Sequence, residues 1–374
     1  MALRQVFILL VFATLFGCAA SYLPDRSTEA VFHADTVEVV AELPQPPGNI
    51  AVSKDHRIFF SFHPEADPEI KVAELIGGRA VAFPDSDFQN RQKDRPFFDS
   101  VLSLRIDRYN RLWTLDHGNF GRGTPMLLAF DIQTGELLHR YDFPSDIAGF
   151  GSFLNDFQVT AKGDVIFIAD TGAPVPVIGG TPAIIVYDVI GKEAKRVLAG
   201  HTSVKAASHV VRVEGEDLTL MGLPIRIALD SIALDREGKW LYYGALNGEN
   251  LYRIATAHLL NPELSEKELG AMVETYAPKT MSDGITTDMA GNIYLSDMEH
   301  SAVHIITPDR ELRTLLKDAR FRWPDGFSFG PDGWLYFTCS DLTNVISKSR
   351  KHVAENAPYS IFRFKPGFEG IPGH

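Results

Sequence analysis

A chain of 374 residues with 45% hydrophobic content and a mean hydropathy close to zero can bury a large core. That excludes both a disordered chain and one that threads a bilayer many times. A net charge of −12 with no long run of Lys or Arg argues against a nucleic-acid surface, since phosphate binding takes clustered cations.

Residues 1–20 carry one positive charge, Arg4, then an apolar run from Val6 to Phe16, then Gly17-Cys18-Ala19-Ala20. This reads as a secretory signal, too short for a structural membrane span. Leu15-Phe16-Gly17-Cys18 resembles the bacterial lipobox, in which the cysteine is lipidated, although Phe16 replaces the usual small residue; cleavage after Ala20 is the alternative. Either way the protein is expected to be exported, as a periplasmic or membrane-anchored lipoprotein or a secreted protein, touching membrane only through such an anchor. With Cys18 lipidated or removed, Cys339 has no partner and is expected to be a small buried hydrophobe. Residues 21–36 are polar with little period and read as a tether, whereas Thr36–Leu43 alternates as a strand does.

From there one phrase recurs six times, at 47–62, 101–118, 153–172, 228–246, 281–299 and 323–341. Each copy holds two period-2 runs separated by a turn, which is the pattern of a β-hairpin. The last copy, WPDGFSFGPDGWLYFTCSD, shows it most plainly. Aligning the copies on the second turn (His56, Asn110, Gly163, Gly238, Gly291, Gly333) gives a column eight positions earlier: Gly48, Leu102, Asn155, Asp230, Asp283, Asp325. Its spacings of 54, 53, 75, 53 and 42 residues suit four-stranded blades. The prediction is an all-β, single-domain, six-bladed β-propeller over residues 37–366, followed by a tail at 367–374. Tyr359–Lys365 would pair with Val37–Leu43 to close the ring and protect its open edges.

Between the repeats, residues 173–181 (APVPVIGGT) must be a loop, Ala183–Tyr187 reads as a strand, and Lys205–Leu220 has no readable register. Ser265 and Glu268 form a capping-box pattern that predicts a helix through Glu274. Residues 85–96 read as a solvated charged loop.

In a propeller the innermost strand of each blade begins near one mouth of the central channel, so the column predicts a ring of Asn155, Asp230, Asp283 and Asp325 beside Gly48 and Leu102. Converging hard oxygens suit Ca²⁺ or Mg²⁺. Without a cation, carboxylates so close repel, which raises at least one pKa and leaves a proton for acid/base work. The competing reading makes each Asp a turn-former, as expected for Asp235, Asp288 and Asp332. Asp116-His117, Asp170-Thr171, Asp297-Met298 and Ser340-Asp341 follow the second strands, where His117 and His300 could carry protons or simply be exposed. Phe120, Phe150, Phe153 and Trp323 could line a funnel for a flat ligand or pack between blades. No Gly-x-Ser-x-Gly elbow, phosphate loop, CxxC pair or HExxH occurs.

The phrases RLWTLDHG (111–118), IIVYDV (184–189), LYRIATAHLLN (251–261) and RWPDGF (322–327) resemble signatures of the yellow and major royal jelly protein family, including bacterial members labelled L-dopachrome tautomerase-related. The resemblance implies a secreted six-bladed propeller linked to dopachrome conversion or to binding aromatic amines in its funnel. More distantly the repeats resemble gluconolactonase and regucalcin-type propellers, whose divalent metal is held by a first-blade Glu and later Asn and Asp residues. Carried over, Asn155, Asp230 and Asp283 fall at metal positions, while Gly48 stands where that family has its Glu.

The expected function is therefore binding or isomerisation of a small cyclic or aromatic metabolite by a monomer. Asp283 and Asp325 are the candidate catalytic groups, and Asn155, Asp230, His117 and Trp323 the further ligand contacts. The alternatives are a divalent-metal lactonase and a non-catalytic envelope-binding propeller.

Overall fold

The computed structural model describes residues 20–173, 179–220 and 222–374; the signal segment with Cys18 lies outside them. Six four-stranded antiparallel sheets form the body. Blade one runs Pro47–Val52, Ile58–Phe62, Val72–Ile76, Arg79–Ala82, and blade two Val101–Ile106, Arg111–Asp116, Met126–Asp131, Leu137–Asp142. Blade three runs Leu154–Val159, Val165–Asp170, Ala183–Asp188, Glu193–Val197, and blade four Leu229–Leu234, Trp240–Ala245, Asn250–Ala255, Glu274–Pro278. Blade five runs Ile285–Thr287, Ile293–Asp297, Ala302–Ile306, Leu312–Lys317. The innermost strands pack side by side in order around the ring, blade six against blade one included.

Blade six is assembled from both ends of the chain. Pro324–Phe329, Leu335–Cys339 and Tyr359–Phe364 are completed by Glu38–Leu43, which pairs antiparallel with Tyr359–Phe364 from Glu38 opposite Arg363 to Leu43 opposite Tyr359. The predicted closure is therefore the one observed. Inner and second strands are buried nearly throughout because each blade is covered on both faces by its neighbours, so the period-2 signal survives mainly on outer strands such as Leu137–Asp142.

Segments outside the blades close the two ends of the ring. Residues 21–36, read as a tether, lie along blades four and five: Arg26 donates to Glu249 O and Lys279 O, and Val31 and Phe32 amides pair with Thr314 O and Leu315 O. At the far mouth, the last residues run across the trailing ends of the inner strands, with Gly373 N donating to Phe329 O and Ile106 N to Gly373 O. The insertion without readable register forms two minimal hairpins, Arg212–Val213 with Glu216–Asp217 and Thr219–Leu220 with Leu223–Pro224. Their apolar side chains pack with Leu342, Val345 and Trp323 over the near mouth. The capping box of Ser265 and Glu268 is present, but its helix ends at Ala271.

Candidate functional site in the central funnel

The repeat explains why the column converges. Leu102, Asn155, Asp230, Asp283 and Asp325 sit at the leading ends of their inner strands and line one cavity of about 260 Å³, with Asn49 beside them in blade one. A Cβ at Gly48 would meet Ser61 Oγ at 2.9 Å, so a larger residue there has no room as the strands stand.

The turn-forming role falls elsewhere. Asp235 accepts from the Lys239 and Trp240 amides, and Asp288 from Ala290 and Asn292. Asp332 departs from this: Gly330 takes the equivalent place in blade six, and Asp332 sits at φ 61 within the turn. No backbone amide among the described residues donates to the carboxyl of Asp230, Asp283 or Asp325, so these three are not turn-formers. The glycines that follow two of them answer to packing between blades. A Cβ on Gly284 would lie 2.0 Å from Asp325 O, and one on Gly326 2.8 Å from Asn49 Cα.

Electrostatically the floor is a cluster of buried acids. Burial, then the charges of Asp283 and Asp325, push Asp230 well above the ordinary carboxyl range. Asp325 moves the same way through burial and the neighbouring Asp283. Asp283 is pushed up to about 6 by burial, against the opposing hydrogen bonds of Trp323 and Asp230. Asp230 and Asp283 are close enough to shift each other's titration, and buried carboxyls so placed favour keeping a proton in the cluster. Trp323 does not line the cavity; it stands behind Asp283 and donates its indole N–H to Oδ2 at 2.6 Å.

Two buried cations that the sequence reading did not select offset this charge. Arg105 donates from Nη2 to both carboxylate oxygens of Asp156, at 2.8 and 2.7 Å, and from Nη1 to Asn49 Oδ1. Lys279 is fully buried, with Nζ donating to Thr280 O at 3.0 Å and Leu246 O at 3.4 Å. Burial lowers it to about 7 despite the nearby Asp230 and Asp297. A charged residue in mid-strand, alternating with Ser103, was a readable signal for Arg105; Lys279 follows a strand end and gave none.

The walls are apolar. Leu220, Ile225 and Ile227 from the insertion, Leu342 and Ile346 between the second and third strands of blade six, and the rings of Phe120 and Phe153 surround the space above the acids. Phe120 is delivered by an unusual turn: Gly118, Asn119, Phe120 and Gly121 all have left-handed φ, from 50° to 69°. Such a conformation costs non-glycine residues roughly 1–2 kcal/mol each and persists only where surroundings enforce it. Here Asp116 accepts from Gly118 N, His117 Nδ1 accepts from Phe120 N, and Gly151 N donates to Phe120 O. His117 thus stands behind the wall, packed on Phe120 and Phe153; burial, with a smaller contribution from His63, lowers it to about 3, which leaves it neutral.

Other second-strand acids act as corner ties. Asp116 also holds the amides of Asp99 and Ser100, and Asp170 that of Phe153. Asp297 binds His300 and His304, whose hydrogen bonds outweigh burial and hold it at about 2. His300 is therefore paired rather than free. Phe150 is exposed at the rim, and Cys339 is buried and unpaired.

The profile of the major royal jelly protein family matches residues 99–328, more than half of the chain. The chain belongs to the major royal jelly protein family. It is 26% identical over 205 residues to Major royal jelly protein 7 of Apis mellifera, covering 52% of this chain and 43% of that protein. It is 25% identical over 232 residues to Major royal jelly protein 2, covering 61% and 50%. The chain thus spans half or less of the length of these relatives. Among solved structures, a calcium-binding regucalcin from Agrobacterium tumefaciens aligns with a TM-score of 0.57 at 15% identity, covering 90% of this chain and 96% of that one. A gluconolactonase from Xanthomonas campestris aligns at 0.55 and 13%, covering 89% and 93%. At such identities these likenesses establish the shared propeller fold alone.

The donors were tested against the divalent cation that the regucalcin-type resemblance implies. Coordination would need Asp230 and Asp283 both ionised and turned onto the ion. Asp283 Oδ2 is instead occupied by the Trp323 N–H, and Gly48 puts no carboxylate at the blade-one position of the column. No metal-binding group of three or more His, Cys, Asp or Glu occurs among the described residues. With the Trp323 N–H on Asp283 and no acid at the Gly48 position, the column departs from the donor set that the resemblance implies.

Proposed function

We propose that this family member binds a small cyclic or aromatic metabolite in its central funnel and isomerises it by proton transfer. The observation that carries the reading is the convergence of Asp230, Asp283 and Asp325, all raised by burial, at the base of a largely apolar, ring-lined cavity. A flat ligand fits between Phe120, Phe153 and the aliphatic wall, where desolvation strengthens its polar contacts with the floor.

Of Asp230 and Asp283, the ionised carboxylate accepts a proton from the substrate while the protonated partner returns one elsewhere on the same molecule. The sum is an isomerisation with no net change in protons or electrons, so no co-reactant is required. Asp283, near 6, is suited to the base role around neutral pH, and Asp325 extends the acid cluster that keeps a proton in place. Trp323 is a positioning residue, and Asn155 offers an amide to a ligand oxygen or nitrogen.

Asp283→Asn removes the base but keeps the shape. It is expected to abolish isomerisation and weaken binding of protonatable aromatic ligands while circular dichroism stays unchanged. Unaltered affinity and turnover would sink the funnel reading. We further propose export directed by the N-terminal segment, with Cys18 or Ser21 as the mature first residue; mass spectrometry of the mature N-terminus distinguishes the two.

A further inference from the structure

The near rim of the funnel carries a cation that nothing in the fold uses. Arg122 lines the cavity from the loop after the left-handed turn Gly118–Gly121, and no carboxylate among the described residues lies within ion-pair distance of its guanidinium. The ring of exposed Phe150 lies 5.9 Å from it. The loop is nevertheless tightly built. Arg122 N donates to Asn119 O, Gly123 N to Gly118 O, and a Cβ on Gly121 would collide with Gly149 O. A strained turn therefore brings the Phe120 ring and an unpaired guanidinium to the lining of the same cavity.

The floor does not need this charge. Asp156 is paired with Arg105, Lys279 lies near Asp230, and burial pushes Asp230, Asp283 and Asp325 towards their protonated forms. Glu65, the other acid at the rim, is pushed towards its neutral form by burial and makes no ion pair among the described residues. The positive charge at Arg122 is thus left for whatever enters.

We propose that Arg122 binds a carboxylate of the ligand, so that the funnel selects flat, apolar-bodied carboxylic acids over neutral molecules of the same shape. The guanidinium fork matches a carboxylate in two parallel hydrogen bonds, and Phe120 beside it takes the ring to which that carboxylate is attached. The inference rests on the funnel being the ligand site and adds the polar group that orients the ligand within it.

Indole-3-acetate and indole-3-acetamide have the same shape and differ in charge, and titration calorimetry of both at pH 7 reads the preference directly. The wild-type protein is expected to bind the acid roughly tenfold to a hundredfold more tightly, the range of a charge-assisted pair. Arg122→Gln, at an exposed position, should erase that preference and leave the amide affinity unchanged. Equal affinities in the wild type, or a preference that survives Arg122→Gln, overturn the assignment. If the amide binds and the acid is not favoured, the funnel reading stands and only the role of Arg122 falls; if neither probe binds, both fall.

Discussion

Trp323 holds the carboxyl of Asp283 through a 2.6 Å hydrogen bond, and it does so from a left-handed backbone conformation, φ 54, that a bulky residue adopts only under constraint. The two residues belong to adjacent blades, so the bond also fixes blade six against blade five at the funnel floor. Because the indole N–H stabilises the ionised carboxylate, Trp323→Phe should raise the pKa of Asp283. The midpoint of pH-dependent ligand binding or turnover is expected to move up by roughly one pH unit. A profile that falls in amplitude without moving would reduce Trp323 to a packing role.

The acid cluster also makes stability depend on pH. Asp325 is raised in the folded protein above an unfolded value of about 3.9. The folded state therefore keeps a proton that the unfolded chain releases, and this contribution is complete below pH 4 and lost as pH climbs through the folded pKa. Asparagine never ionises. Asp325→Asn should melt close to the wild type at pH 4 and a few degrees above it at pH 7.5, while losing function. Comparing the two proteins at each pH cancels the opposing titration of His63 and His117, which burial lowers to about 4 and about 3. A difference in Tm that stays constant across pH would refute the raised carboxyl.

Gly284 and Gly238 provide a contrast between close approach and backbone preference. A Cβ on Gly284 would lie 2.0 Å from Asp325 O, which only a shift of one blade against the next could relieve. Gly238 sits at φ +68 with nothing within 4 Å of its added Cβ. Gly238→Ala should cost about 1 kcal/mol in chemical denaturation, and Gly284→Ala several times that or no folded protein at all.

The protonated floor predicts indifference to chelators. Melting curves with and without EDTA should superimpose, and added Ca²⁺ should not raise Tm. A calcium-dependent rise would favour the lactonase alternative over proton transfer.

The blades and their number were legible because hairpin turns with Asp and Gly recur once per blade, the closure because an alternating strand lies at each end of the repeats, and the same alignment exposed Asn155, Asp230, Asp283 and Asp325. What escaped was side-chain geometry between blades. Arg105 meets Asp156 across two blades, a pairing that no spacing within one repeat encodes. The hairpins at 212–224 have strands of two residues, too short to show a period. Residues 21–36 looked like a tether because a segment held by single anchors such as Leu23 and Phe32 has no repeating pattern. Trp323 was readable as an aromatic near the site, but not as the donor that aims Asp283.

Blade six cannot be completed until the two ends of the chain meet, because Glu38–Leu43 waits for Tyr359–Phe364. The first strand to be made is among the last to find its partner, and the loop that this pairing closes is almost the whole protein. Ring closure should therefore be a late event in folding, reached only after synthesis of the entire chain.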